Sequence, residues 1–420
     1  MSHARVLDDA PWLRSGPAAR VLALLNGHAE EARVVGGAVR NALLQIPIGD
    51  IDIATTAVPD EVIRRAKAAG IKSVPTGIEH GTVTLVVDGQ PFEITTLRED
   101  TETFGRKAKV VFGRDWVRDA ERRDFTINGL SVDAEGVVHD HVGGLDDIAA
   151  KRVRFIGDPN LRIAEDYLRI LRFFRIHAAY GAGDPDRAGY LACIAARAGL
   201  TSLSAERVRM EMLKLMVAEG AAGAIIAMAD GGLLLPIFGG IAYTGPFAAM
   251  ISAEHLLGFE PSAVRRLGAL VVAVTEDARR VATRLRLTNA ETKALDSMGH
   301  RWWRLAGMDE ATARRRLYRL GAERYRERLM LAWARAGEGA GANSERWREL
   351  ATLPERWSAP KFPLKAADFV ARGIAEGPLL GQVLASAEDA WLAADFPLDQ
   401  PALKAIADQT VTRFTRDHRA

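Results

Sequence analysis

The pattern of the sequence changes near Gly157-Asp158-Pro159, and this change restricts the possible architectures more than any other feature. Before it, short apolar runs of strand length alternate with turn residues and short helical segments. From Asn160 to about Leu350, amphipathic stretches rich in Ala, Leu and Arg follow one another without strand signals. The sequence therefore predicts an α+β N-terminal head, with a small mixed or antiparallel sheet and helices, followed by an all-helical region.

Local patterns define the elements of the predicted head. A strand at Arg33–Val35 runs into Gly36-Gly37, and a segment of helical composition follows at Ala38–Leu44. Asp88-Gly89 is a favoured two-residue turn and predicts a hairpin between two apolar runs. The remaining predicted elements are a strand at 51–54, helices at 17–30 and 59–69, and the hairpin strands at 82–87 and 92–97.

Composition narrows the class of protein. A chain of 420 residues is long enough for two to four packed units. We expect no signal peptide and no membrane span, because no basic and apolar leader pattern is seen and no apolar run approaches ~20 residues. Cys193 is the single cysteine, which excludes an internal disulfide and favours a reducing, cytoplasmic location. The net charge of +2 neither requires nor excludes nucleic acid.

Two aspartates in the segment GDIDIATTA are the first candidates for chemistry. Asp50 and Asp52 stand two apart and are flanked by Ile51 and Ile53, so on a strand both carboxylates point to one face. Carboxylate oxygens suit Mg²⁺, and phosphoryl transfer uses two such ions ~4 Å apart. Taken alone, Asp-x-Asp at the end of a strand is more typical of a solvated edge or a turn.

The glycine turn upstream of these aspartates adds a second candidate. Gly36 and Gly37 would let backbone N–H groups approach a phosphate, and Arg40 would add a fixed positive charge. The turn lacks the Gly-Lys-Ser/Thr ending of a Walker loop and the third glycine of a dinucleotide motif, and a bare Gly-Gly is usually structural. Glu93, between Phe92 and Ile94, would either bring a third carboxylate to the metals or face solvent.

Four motifs occur in a fixed order: VVGGAVRNALL, DIDIATTA, RRDFTINGL at Arg122–Leu130, and EDYLRILRFFR at Glu165–Arg175. In order and spacing they resemble the class II tRNA nucleotidyltransferase and bacterial poly(A) polymerase family, within the DNA polymerase β superfamily. The resemblance covers about residues 33–220, including SAERVRMEMLKL at Ser204–Leu215, and is thinner afterwards. In the tail, FPLKAADFVARGIAEGPLLG is similar to a segment of bacterial CCA-adding members.

The resemblance implies roles for individual residues. Asp50 and Asp52 would bind catalytic Mg²⁺, and Glu93 stays a candidate third catalytic carboxylate because of its strand position alone. The implied nucleotide-binding residues are Gly37 and Arg40 for the triphosphate, Arg123 for the nucleotide, and Asp124 with Asn128 for the sugar side of the pocket. Without the other motifs, Arg122-Arg123-Asp124 would be interpreted as a surface ion-pair run. Asn41 departs from the family, which usually has Asp there, and we expect it to brace the turn.

A charged stripe follows in the fourth motif. Glu165, Asp166, Arg169, Arg172 and Arg175 have helical spacing, which is usually typical of a solvated helix face. Cytosine and adenine both present an amino donor beside a ring-nitrogen acceptor, and a carboxylate with a guanidinium complements that pair. The resemblance to the family's EDxxR motif therefore implies that Asp166 and Arg169 read C and A as a protein template. Arg172 and Arg175 would serve the nucleotide or the position of the helix.

Three further segments have weaker signals. His139-Asp140-His141 places two imidazoles on one strand face, but the absence of a third strong ligand nearby argues against a metal site. The loop from Glu99 to Gly113, with Arg106, Lys107 and Lys109, is basic and is expected to be a mobile clamp. Basic and aromatic residues interleave as in RNA-contacting helices, or as in ordinary packing, at Arg301, Trp302, Trp303, Arg304, Arg314, Arg315, Arg316, Arg319, Arg324, Arg326 and Arg328.

We predict a catalytic head at 1–157, a base-recognising helical neck at 158–220, an RNA-binding helical body at 221–340, and a tRNA-binding helical tail at 341–420, with Gly337–Asn343 as a linker. The family resemblance implies that the enzyme adds C and A from CTP and ATP to the 3′ end of tRNA, holding its acceptor arm, without a template. Poly(A) addition, or addition of only C or only A, is the alternative within the family; the lack of a long basic tail argues against poly(A). A non-catalytic RNA-binding protein on the same fold is the alternative from another class.

Overall fold

Nine strands lie among the described residues: β1 Ala32–Val35, β2 Asp52–Thr55, β3 Lys72–Gly77, β4 Thr82–Val87, β5 Gln90–Thr96, β6 Arg98–Phe104, β7 Lys107–Phe112, β8 Ser131–Val132 and β9 Val138–His139. Seven of them form one mixed sheet in the order β3–β4–β5–β2–β1–β8–β9, and β6 pairs with β7 in a separate ribbon. The computed structural model describes residues 6–7, 10–104, 107–337 and 344–417. The chain divides into two units, Met1–Gly239 and Gly240–Ala420.

The helices of the first unit are α1 Pro11–Arg14, α2 Pro17–Leu25, α3 Gly37–Leu43, α4 Pro59–Ala68, α5 Trp116–Glu121, α6 Gly144–Ala149, α7 Pro159–Glu165, α8 Leu168–Tyr180, α9 Arg187–Ala195, α10 Ala205–Met216, α11 Ala221–Asp230 and α12 Leu234–Phe238. Short 3₁₀ turns occur at Ile78–His80, Thr126–Asn128 and Arg197–Ser202.

The helices of the second unit are α13 Thr244–Leu257, α14 Ala263–Val271, α15 Thr275–Leu285, α16 Asn289–Gly299, α17 Glu310–Leu320, α18 Ala322–Arg335, α19 Ser344–Ala351, α20 Leu353–Arg356, α21 Ala366–Val370, α22 Pro378–Ala393 and α23 Gln400–Asp417. A 3₁₀ turn lies at Trp302–Leu305. Phe369, Val383 and Trp391 are fully buried in the core that joins α21, α22 and α23. The predicted succession of an α+β head and helical regions is confirmed.

The centre of the sheet is a parallel pair between β2 and β5. Asp52 is opposite Glu93 and Ile53 is opposite Ile94. Both isoleucines are buried, whereas Asp52 and Glu93 are exposed, because successive side chains of a strand point to opposite faces. The apolar face is covered by α2 and α4, which supply buried residues such as Leu22. The sheet thus presents two adjacent carboxylates on the side away from its core.

Several predicted boundaries were wrong, each for a local reason. The helix predicted at 17–30 ends at Leu25, since the Asn26 side chain bonds to the Leu22 and Ala32 carbonyls and Gly27 has a φ of +92°. Strand β2 begins at Asp52, so Asp50 precedes it and strand alternation does not fix its direction. The predicted loop at 99–113 contains the paired strands β6 and β7. Its Arg106 lies outside the described residues, as does most of the predicted linker at 337–343, and the side chains of Lys107 and Lys109 are not described.

An aromatic cluster connects the sheet region with α8. The ring centroids of Phe125 and Phe155 are 4.9 Å apart, and those of Phe155 and Phe173 are 5.4 Å apart. Phe174 continues the cluster edge-on to Phe173 at 5.3 Å. Because Phe125 follows Asp124 in sequence and Phe173 follows Arg172, this packing brings a residue of the RRD motif next to α8.

We expect the buried Asp147 to stabilise the segment that carries this motif. Its carboxylate accepts bonds from Thr126 Oγ1 at 2.5 Å, Arg152 Nε at 2.7 Å and Arg154 Nε at 2.6 Å. Asp147→Ala should lower the free energy of unfolding by about 2–4 kcal/mol in urea titrations, because buried donors lose their acceptor. The exposed neighbour Asp146 provides the control. Asp146→Ala should change the free energy of unfolding by less than about 0.5 kcal/mol.

The hydrogen bonds of Asp147 also predict how its contribution to the free energy of unfolding depends on pH. Burial alone would raise the pKa of Asp147, but the bonds from Thr126, Arg154 and Arg152 outweigh it and lower the pKa. The stabilisation is therefore complete above the pKa of an unfolded aspartate, about 4, and is lost as the pH falls through the folded pKa. A difference between wild type and Asp147→Ala that grew on acidification would contradict this assignment.

Candidate active site

A cleft of about 650 Å³ in the first unit collects most of the predicted site residues. Nine predicted nucleotide-binding residues line it, together with Asp52: Gly37, Arg40, Arg123, Asp124, Asn128, Asp166, Arg169, Arg172 and Arg175. Its lining further includes Gly36, Arg98, Arg122, Leu168, Ile176, Arg207 and Lys214. Asp50 and Glu93 are not in the lining. Nine basic side chains face three carboxylates there, so the cleft suits a polyanion such as a nucleoside triphosphate.

Asp52 lies among other negative charges. Partial burial raises its pKa, and the charges of Glu93 and Asp50 raise it further, against the opposing charge of Arg123. A cation at this position would relieve that repulsion, and the two adjacent carboxylates of Asp52 and Glu93 offer the hard oxygen ligands of a divalent ion. Within the described residues, no group of three or more His, Cys, Asp or Glu side chains is arranged to hold a metal ion.

The glycine turn forms another wall of the cleft. Gly36 has a φ of +72°, and a Cβ atom there would lie 3.5 Å from Arg123 Nη1. The first residue of α3, Gly37, is close to Arg40, and a Cβ atom on it would lie 3.4 Å from Arg40 Nη2. Both distances are ordinary van der Waals contacts, so the positive φ of Gly36 is what favours glycine in this turn.

Arg40 is only 6% exposed and is held by uncharged groups. Its Nη1 donates to Asn128 Oδ1, and its Nη2 donates to Tyr180 Oη at 2.7 Å and to Asn41 Oδ1 at 2.9 Å. Its guanidinium carbon also lies 3.7 Å from the centroid of the Tyr180 ring. Asn41 Nδ2 donates in turn to the Pro47 carbonyl at 2.9 Å, so Asn41 ties Arg40 to the segment that follows α3. Burial lowers the pKa of Arg40, which no carboxylate of the described residues pairs with directly.

The RRD motif is anchored from behind by Asp119, a buried residue of α5. Arg122 Nε donates to Asp119 Oδ1 at 2.9 Å and Arg123 Nη2 donates to Asp119 Oδ2 at 3.0 Å. Asp124 accepts from Arg172 Nε at 2.7 Å and from Asn128 Nδ2 at 3.2 Å. Burial alone would raise the pKa of Asp124, but the charge and hydrogen bond of Arg172 outweigh it and lower the pKa. The motif is therefore fixed to α8 through Arg172.

The fourth motif is not one continuous helix, contrary to the predicted stripe. Helix α7 ends at Glu165, Asp166 is extended with a φ of −155°, and α8 begins at Leu168. Asp166 Oδ1 accepts from the backbone N–H of Leu168, the first residue of α8, at 3.1 Å. Such a side chain to backbone bond competes with helical bonding at the junction. Asp166 therefore lies at the junction between α7 and α8, whereas Arg169, Arg172 and Arg175 lie on α8.

Asp166 and Arg169, the two proposed base-reading residues, are each held by hydrogen bonds to neighbouring protein groups. Asp166 Oδ2 accepts from Arg207 Nη2 at 2.6 Å. Arg169 Nη1 donates to Glu165 and, at 2.6 Å, to the Arg162 carbonyl. These contacts leave lone pairs of Asp166 and the Nη2 group of Arg169 for another ligand.

Sequence reasoning missed several supporting residues. Glu211 of α10 is 2% exposed and accepts from Arg175 Nε at 2.5 Å, with Arg172 Nη1 at 3.9 Å. Its position among the apolar residues Val208, Met212 and Leu215 was a signal for a buried, paired acid. Tyr180 and Arg207 had no comparable local signal, because their partners Arg40 and Asp166 lie 140 and 41 residues away in sequence. Asp119 did have a local signal, since its partners follow it at the helical spacings of three and four residues.

The histidines discounted as metal ligands have other surroundings. His139 Nε2 lies 2.8 Å from Asp133 Oδ2. Asp140 accepts backbone N–H bonds from Val142, Gly143 and Gly144 at 2.9–3.0 Å, which makes it a turn residue. Across the described ranges, no helix is long and apolar enough to cross a membrane.

The sheet, the paired carboxylates and the basic cleft are those of a nucleotidyltransferase. The sequence matches the Poly A polymerase head domain over residues 32–154 and the probable RNA- and SrmB-binding site of polymerase A over residues 191–244. It is 32% identical to human CCA tRNA nucleotidyltransferase 1, mitochondrial, with 90% of this chain and 87% of that protein covered. It is 40% identical to a CCA-adding enzyme of Geobacillus thermodenitrificans, over 51% of this chain and 52% of the relative.

A solved structure, the Bacillus stearothermophilus CCA-adding enzyme in complex with CTP, superposes with a TM-score of 0.70 at 26% identity and covers 95% of this chain and 98% of that one. The chain therefore belongs to the family of CCA-adding tRNA nucleotidyltransferases and poly(A) polymerases. The family resemblance inferred from the four motifs is confirmed. Nucleotidyltransferases of this family depend on a divalent metal.

Tyr180 offers a test of how Arg40 is held. Tyr180→Leu removes the aromatic face and the hydroxyl acceptor, and a cation–π contact of about 1–2 kcal/mol corresponds to a rise of about 5- to 30-fold in the KM for CTP and ATP. Tyr180→Phe keeps the ring and should retain most of the affinity. Steady-state kinetics at saturating RNA, with circular dichroism to confirm folding, make the comparison. Equal KM values for wild type and a folded Tyr180→Leu variant would show that Arg40 does not depend on Tyr180.

Proposed function

We propose that this enzyme adds C and A to the 3′ end of tRNA that lacks its CCA terminus, with CTP and ATP as substrates. The observation that carries the proposal is a single cleft lined by Asp52, by nine basic side chains and by the pair Asp166 and Arg169. It combines groups suited to phosphoryl transfer with groups suited to reading a base. The identity of the added nucleotide would then come from the protein rather than from a template strand.

In the proposed reaction, the RNA 3′-hydroxyl attacks the α-phosphate of the nucleotide. A bond forms from this oxygen to phosphorus, and the bond from phosphorus to the bridging oxygen breaks, releasing pyrophosphate. Arg40, Arg123, Arg172 and Arg175 would hold the triphosphate and the departing pyrophosphate. Their buried partners fix these cations before the substrate arrives, which reduces reorganisation during the reaction.

We propose Mg²⁺ as the metal, held by Asp50 and Asp52 with Glu93 as a further carboxylate. Bound Mg²⁺ would favour ionisation of the attacking hydroxyl and neutralise charge on the triphosphate. The register that puts Glu93 directly opposite Asp52 supports its inclusion. The negative charge of Asp50 contributes to raising the pKa of Asp52, which supports its inclusion.

Base selection would rest on Asp166 and Arg169. Asp166 would accept from the amino group that C and A share, and Arg169 would donate to the adjacent ring nitrogen. Uracil and guanine present a carbonyl and an N–H at these places. The Asp166 carboxylate would then face another acceptor, and the Arg169 guanidinium would face another donor. Arg207 and Glu165 support this role because they restrain the two side chains without using all of their hydrogen-bonding capacity.

The RNA substrate is proposed from family membership and from related complexes. A Thermotoga maritima CCA-adding enzyme of the same fold, with a TM-score of 0.71, is known in complex with tRNA. We propose that this chain likewise holds the acceptor arm and 3′ end of tRNA. The cytoplasmic location expected from the sequence stays a prediction, since the vertebrate relatives include proteins named as mitochondrial.

Supplying one labelled nucleotide at a time distinguishes the candidate activities. With tRNA that ends before CCA, wild type should add two C residues from CTP alone, and A only after them. Long A tracts from ATP alone would instead identify a poly(A) polymerase, and addition of only C or only A would identify a partial enzyme. No incorporation under any condition would identify a non-catalytic RNA-binding protein.

The carboxylates provide the next test. Asp50→Ala and Asp52→Ala should each reduce turnover by about 10²-fold or more with an unchanged fold, because the metal loses ligands. Asp60, an exposed acid in the first turn of α4, supplies the matched control, and Asp60→Ala should retain wild-type activity. Glu93→Ala should match the Asp52 variant if Glu93 ligates directly and lose less if it supports the site. Near-normal Mg²⁺-dependent turnover in the Asp50 or Asp52 variant would refute the metal assignment.

Substitution of both base-reading residues tests the protein template. Each mismatch with UTP or GTP should cost roughly 1–3 kcal/mol, so the two together suppress misincorporation by about two to four orders of magnitude. Asp166→Ala with Arg169→Ala should therefore use CTP and ATP less well and admit UTP and GTP. The ratio of kcat/KM values measures this change. A slow double variant that still rejects UTP and GTP would place base reading elsewhere.

A further inference from the structure

Five arginines converge on a small pocket in the second unit. It encloses about 100 Å³, and its walls are His300, Arg301, Arg304, Leu305, Arg316, Arg319, Leu320 and Arg328. No carboxylate of the described residues lines it. Converging arginines repel one another, so such a pocket is a place where a bound anion would stabilise the protein.

Four elements of one helical region bring these side chains together. His300 follows α16, Arg304 lies in the 3₁₀ turn, Arg316 lies on α17 and Arg328 lies on α18. Contacts between α16 and α18, between α17 and α18, and between α18 and the 3₁₀ turn hold the elements in place. Arg328 Nε donates to Ser297 Oγ at 3.1 Å, which fixes its guanidinium. Burial lowers the pKa of Arg328, and the nearby Arg324 and Arg316 lower it further, against the charge of Asp296.

The arginines of this region fall into two groups according to their partners. Arg314, Arg319 and Arg326 are paired with carboxylates: Arg314 Nη2 lies 2.7 Å from Glu310, Arg319 Nη1 lies 2.7 Å from Glu388, and Arg326 contacts Glu355. The second group has no carboxylate partner among the described residues: Arg301, Arg304, Arg316 and Arg328 line the pocket, and Arg315 and Arg324 lie outside its lining. The sequence treated all of these arginines alike. The structure separates structural ion pairs from cations that remain available to a ligand.

We propose that Arg301, Arg304, Arg316 and Arg328, the free-arginine pocket, bind one phosphodiester group of the RNA backbone of the substrate. The inference rests on the proposed function, because it takes RNA as the substrate. Guanidinium groups recognise phosphate oxygens through paired N–H donors. Recognition of the backbone is independent of base sequence, as an enzyme that accepts many tRNA molecules requires.

The size of the pocket suits a small anion. By the same measure one water needs about 10–15 Å³, so a pocket of about 100 Å³ has room for a phosphate group. Trp303, in the same 3₁₀ turn as Arg304, is 49% exposed and provides an apolar surface beside the charges. Trp302 has a different role, since its Nε1 donates to the Ala273 carbonyl at 2.8 Å.

Two residues of α17 give a matched pair of variants. Arg316→Ala, and likewise Arg304→Ala, should raise the KM for tRNA about 3- to 10-fold near 0.1 M salt and reduce the slope of log KM against log salt by about 1. Arg314→Ala removes an equal charge from the same helix but from an ion pair, and should change the slope little. The KM for CTP and the kcat at saturating tRNA should stay near the wild-type values in all three. Melting temperatures identify any unfolded variant, and Arg316→Lys then tests the charge with less loss of packing.

The outcomes separate this proposal from the proposed function. If wild type adds no nucleotide to tRNA, the proposed function fails. If wild type is active but Arg304→Ala and Arg316→Ala keep its tRNA KM and salt slope, the pocket does not bind RNA. Titration of the whole protein with inorganic phosphate provides a further arm: tight phosphate binding that these variants abolish, with unchanged tRNA kinetics, would identify a small-anion site and overturn the proposal.

Discussion

The pairing of Asp124 with Arg172 is the interaction on which the cleft depends. Asp124 is 9% exposed, and removing a carboxylate from water is unfavourable unless its oxygens are satisfied. Arg172, Asn128 and the Phe125 backbone N–H supply those bonds. Because Arg172 belongs to α8, satisfying Asp124 fixes that helix against the RRD motif. The aromatic packing of Phe125, Phe155 and Phe173 joins the residues that follow Asp124 and Arg172 and so holds the same two segments together.

The position of α8 determines which other side chains line the cleft. The helix carries Arg169 and Arg175 along with Arg172, and its last residue, Tyr180, packs against Arg40 near the glycine turn. Glu211 holds Arg175 from the opposite side. The cleft would be electrostatically unstable if its nine cations had only each other as neighbours. Buried acids behind the cleft offset that repulsion while leaving positive potential on the inner surface, where a triphosphate would lie.

Local sequence patterns predicted the parts of this site that depend on short-range geometry. Asp52 could be placed because its neighbour Ile53 alternates with it across the strand. For Glu93 the same alternation left a metal-facing and a solvent-facing position open, and the parallel register opposite Asp52 came from the fold. Asp166 could not be placed, because charges spaced three and four apart look the same whether or not the helix is interrupted. The contact of Tyr180 with Arg40 could not be predicted for a different reason. The two residues lie 140 positions apart, and no local pattern encodes such a contact. The motifs thus predicted which residues meet, whereas the side chains that hold them came only from the tertiary fold.

The partners of the arginines distinguish structure from binding in both units. A guanidinium bonded to a carboxylate has its charge largely compensated, and it contributes mainly to holding elements together, as Arg314 and Arg326 do. Arg40 is instead fixed by an amide, a hydroxyl and an aromatic ring, which restrict its position without compensating its charge. Arg328 is similar, since a serine hydroxyl orients it. Immobilised but uncompensated cations gain the most from a phosphate, because the entropy of fixing the side chain has already been lost in folding. A chain with a net charge near zero can therefore contain two sites that attract anions strongly. The positions of these sites depend on which arginines the fold leaves without an acidic partner.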